Sequence, residues 1–142
     1  MGKDLDIGVN ALLFNADGEI LLGKRRNCLG DGLYSLIGGH LKEGETVEDG
    51  IIRELKEELG VTVLREDVEV VNFAYVRNEG APMIEIGVLI KRYDGEIDNR
   101  EPQRCESLGY FRLDELPEMF AATKPNLDLY ISKKFYDRAI ND

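Results

Sequence analysis

Two hydrophobic periods run along this chain, and the switch between them marks its elements. Residues 5–14, LDIGVNALLF, and 19–25, EILLGKR, are short apolar runs that read as strands. Asn15-Ala16-Asp17-Gly18 lies between them as a turn signal, so a hairpin joining the two is predicted. The period then lengthens. Val47, Ile51, Leu55 and Leu59 recur at i, i+4, i+8 and i+12 with Ile52 beside them, the apolar stripe of an amphipathic helix. Thr46 suits its N-cap, with Asp49 three residues on as a variant of the capping box. Gly60 suits the left-handed position that closes such a helix. Gly50 is its weak point at about 1 kcal/mol relative to alanine, so Gly50→Ala is expected to stabilise the helix.

Beyond the helix, VTVL (61–64), VEVVNFAYV (68–76) and MIEIGVLIKRY (83–93) read as strands, the last almost continuously apolar and therefore central. Asp94-Gly95 turns the chain into a charged loop, EIDNREPQRCE, and LGYFRL (108–113) is a final strand. Residues 126–140 carry Leu127, Tyr130, Ile131, Phe135 and Ile140 at helical spacing, and Asn126 after Pro125 offers a cap. No repeat, linker or low-complexity segment is visible. The order strands, helix, strands, helix predicts an α/β fold, one domain over 1–142, with helices layered on a mixed sheet.

One face of the first helix carries chemistry. Glu54, Glu57 and Glu58 are spaced i, i+3, i+4 within Arg53-Glu54-Leu55-Lys56-Glu57-Glu58. At about 100° per residue, Glu57 and Glu58 fall near −60° and +40° from Glu54. Three carboxylates so close repel one another, which a helix would not adopt for stability. A hard divalent cation removes the repulsion. Mg2+ fits best, with Mn2+ as an alternative, because it takes a few carboxylates and leaves positions for water and phosphates. Alone, ELKEEL would be read as a solvated face.

It does not stand alone. Gly39, five residues, Glu45, seven residues, Arg53-Glu54, an aliphatic, any residue, Glu57-Glu58, any residue, Gly60, an aliphatic: this matches the Nudix box at every specified place. The chain resembles the Nudix hydrolase family. The resemblance implies a Nudix-type α/β/α sandwich around a mixed β-sheet and hydrolysis of a diphosphate linkage in a nucleoside diphosphate derivative. It assigns Glu54, Glu57 and Glu58 as metal ligands, with the Gly39 carbonyl among them, and makes Glu54 a candidate for the general base. Arg53 and Glu45 are expected to pair and orient the cluster. A further acidic ligand is expected from the loop before the last strand, Glu101 or Glu106, with Glu101 favoured. Arg25 or Arg26, at the end of the second strand, is expected to reach substrate phosphates, and His40 to face the cleft. Family members commonly place Pro before the paired glycines; here Ile37 stands there, which removes some rigidity but no chemical group.

The segment Glu101-Pro102-Gln103-Arg104-Cys105-Glu106 with GYFRLDELP is similar to small Nudix enzymes of the MutT type, which convert nucleoside triphosphates to monophosphates and pyrophosphate. Phe73, Tyr75 and Tyr110 are candidates to stack on a base or to fill core. The alternative is a catalytically altered Nudix domain that senses or binds a nucleotide or nucleotide sugar. The intact acidic set argues against it. An isomerase on the same scaffold is less favoured.

A net charge of −10 disfavours a nucleic-acid polymer as partner but not a small phosphorylated substrate, since bound cations reverse the local sign. No apolar run is long enough to span a bilayer, so no membrane partner is expected. The opening MGKDLDIG has no apolar leader, and Asp6 stands where a myristoylation signal wants Ser or Thr. Cys28 and Cys105 form no CxxC and are expected as reduced thiols in a cytoplasmic protein. A homodimer is left open.

Overall fold

The computed structural model describes residues 5–78 and 81–141. Met1–Asp4, on which the expectation of an absent leader and lipid signal partly rests, lie outside them. Strand β1 (Asp6–Leu12) is flanked on both edges. It pairs antiparallel with β4 (Ile37–His40), setting Gly8 opposite His40 and Asn10 opposite Gly38. It pairs parallel with β6 (Ala81–Ile90), setting Gly8 opposite Glu85 and Asn10 opposite Gly87. Adding β5 (Val68–Asn78) and β8 (Tyr136–Asn141) completes a mixed five-stranded sheet in the order β4-β1-β6-β5-β8. A smaller antiparallel sheet holds β2 (Ile20–Arg25) between β3 (Tyr34–Ser35) and β7 (Cys105–Phe111). Helix α1 spans Val47–Leu59 and α2 spans Lys124–Ser132.

The alternation of β1 explains the layering. Val9, Ala11 and Leu13 join Ile51, Leu55 and Leu59 of α1 in one core. Leu12 packs with Leu127 of α2 in the other. The α1 stripe is therefore the buried face, as its period predicts, and each helix covers its own core. Thr46 caps α1 by accepting from the Asp49 N–H at 3.1 Å. The reciprocal half of the box is absent, because the Asp49 carboxylate takes Arg65 instead. Gly60 closes the helix at φ 75°.

Four expectations need correcting. The predicted hairpin is not made as a ladder: Leu21 donates to the Leu13 carbonyl and Phe14 bridges Ile20, but β2 then enters the second sheet. Both edges of β1 are already occupied, so β2 has no place beside it. Residues 61–64 alternate like a strand, with Val61 and Val63 buried and Leu64 exposed, yet form only one isolated bridge, Thr62 to Asp94. The C-terminal helix ends at Ser132 and does not reach 140. Lys133 turns left-handed at φ 60°, and Tyr136–Asn141 runs parallel to β5. The free edge of β5 and the packing of Phe135 and Tyr136 on Phe73 favour the strand. Asn126 does not cap α2, whose N-cap is Thr123; it is fully buried.

Gly50 also reads differently in place. A Cβ there would overlap a Leu41 methyl and come within 3.3 Å of the Glu45 carboxylate. A side chain at position 50 therefore needs the Leu41 tip to move, a packing cost set against the gain expected from alanine.

Candidate active site

The site begins with one guanidinium. Arg53 Nε donates to Glu45 Oε2 at 2.6 Å, and Nη2 donates to Glu45 Oε1 at 3.0 Å and to the His40 carbonyl at 3.1 Å. Nη1 donates to Glu54 Oε1 at 2.8 Å and Glu57 Oε2 at 3.2 Å. The fork thus ties the loop after β4 to α1 and sets two of the three carboxylates. Glu45 accepts further from the Lys42 N–H at 2.9 Å. Arg53, and after it Lys42, hold the Glu45 carboxyl down at about 2. The hydrogen bond to Glu45 in turn pushes the guanidinium further into its charged form.

Glu58 is half-buried, with one carboxylate oxygen fully enclosed. Burial first, then the charge of Glu54, with Glu101 and Glu57 adding, pushes its carboxyl well above the ordinary carboxylate range. Its Oε2 is buried and takes no hydrogen bond. Gly39 lies against this group so closely that a Cβ on it would meet the Glu54 carboxylate at 2.5 Å. Gly38 is tighter still, since a Cβ there would overlap the Val9 carbonyl of β1. Among the described residues no three acidic, Cys or His side chains already converge on one point. The donor set nevertheless fits a hard cation: all-oxygen, crowded with like charge, and holding an orphaned buried oxygen that a cation would satisfy.

These residues line one end of a cleft of about 840 Å³ between the two sheets, which also takes in His40, Lys42 and Glu101. Glu106 is drawn away by Lys24 at 3.5 Å and Arg26 at 3.8 Å. Arg26 also donates to the Pro102 carbonyl at 2.9 Å, so it braces the loop after β6. Arg25 lines the cleft, donating to the Leu29 carbonyl at 2.6 Å, its guanidinium carbon 4.1 Å from the centre of the Phe120 ring.

The other end of the cleft was not anticipated from sequence. Val76, Met83, Phe120, Ala122 and the buried hydroxyls of Ser35 and Thr123 line it, with Asn10 and Glu85 among them. Asn10 Nδ2 donates to Glu85 Oε1 at 2.8 Å and to Asn126 Oδ1 at 2.9 Å. Asn126 Nδ2 donates to Asn72 Oδ1 at 2.9 Å and to the Glu85 carbonyl at 3.0 Å, and Asn72 donates to the Asn126 carbonyl at 3.0 Å. Burial pushes the Glu85 carboxyl up to about 7. A signal did exist: Glu85 is the lone charge in MIEIGVLI and Asn10 the lone amide in GVNALLF. Of the aromatics considered for stacking, Phe73 packs on Phe135 and Tyr136, and Tyr110 lies on β7 at the surface.

Comparison with known proteins places these features in a family. The NUDIX domain family model matches residues 4–131. The NAD-capped RNA hydrolase NudC of Pseudomonas aeruginosa is 30% identical over 122 residues, covering 82% of this chain and 41% of that protein. The oxidized purine nucleoside triphosphate hydrolase of Mus musculus is 32% identical over 103 residues, covering 70% of this chain and 62% of that protein. The chain thus spans about two-fifths of the NudC relative's length. In three dimensions it is similar to a MutT NUDIX hydrolase from Burkholderia pseudomallei, with TM-score 0.80, 32% identity, and coverage of 89% of this chain and 98% of that one.

Proposed function

The chain belongs to the Nudix hydrolase family, and on that premise we propose that it is a divalent-metal-dependent hydrolase of nucleoside triphosphates. It would release pyrophosphate and leave the monophosphate. The observation that carries this reading is the two-ended cleft. Acidic groups organised by Arg53 sit at one end, and an aromatic and apolar recess sits at the other. Its volume of about 840 Å³ lies within the range usual for small-ligand sites. Likeness to the mouse oxidized purine nucleoside triphosphate hydrolase supports a triphosphate as substrate.

Glu54, Glu57, Glu58 and the Gly39 carbonyl would hold the cation, with Glu101 as the further ligand and Mg2+ as the ion. Bound there, it would neutralise charge on the anhydride oxygens. The remaining work falls to the chain. Water attacks phosphorus in line, the bridging P–O bond breaks towards pyrophosphate, and Glu54 takes the proton released by the water. Arg53 keeps Glu54 and Glu57 oriented, a positioning role supported by Glu45. His40, and Arg25 from beside the Phe120 ring, would contact the phosphates, whereas Arg26 is engaged by Pro102 and Glu106. The nucleoside occupies the end lined by Phe120.

The test is a nucleotide panel with Mg2+, read by pyrophosphate and phosphate release, with and without EDTA. Metal-dependent pyrophosphate release is expected. Tight nucleotide binding without any turnover would instead favour a sensor. Glu57→Gln is expected to lower the rate by orders of magnitude with circular dichroism unchanged. Undiminished activity in that variant would contradict the assignment.

A further inference from the structure

Glu85 is a buried carboxyl whose side-chain hydrogen bond an uncharged acceptor could equally take. It is 4% exposed on a strand whose neighbours are apolar, where an incompletely paired charge is costly. Oε1 accepts from Asn10, but among the described residues Oε2 takes no hydrogen bond and the side chain makes no ion pair. Arg25, the cation whose charge it feels, is engaged by the Leu29 carbonyl and the Phe120 ring. The polar staple between β1, β5, β6 and α2 is completed by the amides of Asn10, Asn72 and Asn126 and by the backbone carbonyl of Glu85. A glutamine could accept from Asn10 without the charge. Room for the carboxylate is kept deliberately bare: a Cβ on Gly8, its strand neighbour, would overlap Oε1.

The side chain lines the cleft at the end assigned above to the nucleoside, together with Phe120, Val76 and Met83. Above about pH 7, where Glu85 is ionised, its carboxylate only accepts hydrogen bonds. It repels phosphate, so it sets which end of the ligand lies here. It also meets a ring carbonyl lone pair to lone pair, but accepts readily from a ring amino group. Resting on the nucleotide reading above, we propose that Glu85 is a specificity-determining residue whose free oxygen accepts a hydrogen bond from the exocyclic amino group of the bound base. The elevated proton affinity of the group agrees with an oxygen short of partners in the empty cleft. A site built around a donor rejects analogues that lack it, because its own polar atom is then left unpaired.

Matched pairs differing at that group test the assignment: CMP against UMP, AMP against IMP, and GMP against IMP, each titrated calorimetrically so that no turnover is required. The same pairs as triphosphates are compared by kcat/KM. The wild-type protein is expected to favour the amino member of at least one pair by about tenfold or more, and Glu85→Gln to bring that ratio within about threefold. Equal treatment of every pair by wild type overturns the proposal, even if the variant misfolds. A ratio untouched in a folded Glu85→Gln also overturns it. Turnover with no amino preference defeats the role of Glu85 and leaves the hydrolase reading standing. Amino preference in binding without turnover does the reverse, and no nucleotide binding at all defeats both.

Discussion

Arg53 makes five hydrogen bonds, one for each of its N–H groups, and four of them go to carboxylates. A lysine has three donors and no planar fork, so it cannot reproduce this set. Arg53→Lys is therefore expected to lower kcat by about 10–100-fold through misplaced Glu54 and Glu57, with the melting temperature as the control for folding. Glu85 makes a prediction of its own. Its folded-state pKa of about 7 lies above the ordinary 4.5, so the folded chain binds that proton more tightly than the unfolded chain. The stability it contributes is fully present below about 4.5 and is lost as pH rises through about 7. Glu85→Gln removes this dependence. The unliganded variant should gain on the order of 3 kcal/mol relative to wild type at alkaline pH and little in acid, from about 1.4 kcal/mol per tenfold change in proton affinity. Urea titrations at two pH values measure it.

Among the elements, α1 carries the sharpest test. Overpacking costs about 1–3 kcal/mol against about 1 kcal/mol gained from helix propensity, so Gly50→Ala should lower the melting temperature. The obstacle is the flexible end of Leu41. In a Leu41→Ala background the same change should become neutral or stabilising, and a double-mutant cycle gives the coupling. This helix was legible in sequence, stripe and caps included, because its signals are local. The acidic face was legible for the same reason. Other elements were not. Residues 126–140 have helical spacing throughout, but Phe135 and Tyr136 are placed by Phe73, a contact that no local pattern records. The hairpin failed because strand pairing depends on which edges are free, and β1 had none. Asn126 resembled a cap because polar residues after proline often are one; here three strands supply its partners.

At the scale of the molecule, the Asn10–Glu85–Asn126–Asn72 cluster joins β1, β6 and β5 to α2. Asn126→Ala would leave Asn10 and Asn72 short of partners in a dry interior, at about 2–4 kcal/mol. Denaturant unfolding should show that loss as a shifted midpoint with an unchanged slope. Asn10 and Glu85 of this cluster line the cleft, and their sequence separation, from position 10 to 85, explains why that part of it was invisible before folding. Gly8 of β1 lies between His40 on one side and Glu85 on the other, and Asn10 between Gly38 and Gly87. A single extended segment therefore holds the His40 and Glu85 positions level with each other, two strand widths apart. Inserting one residue into β1 would leave that width alone but slip the register, bringing a side chain to the bare position of Gly8 and crowding the Glu85 carboxylate.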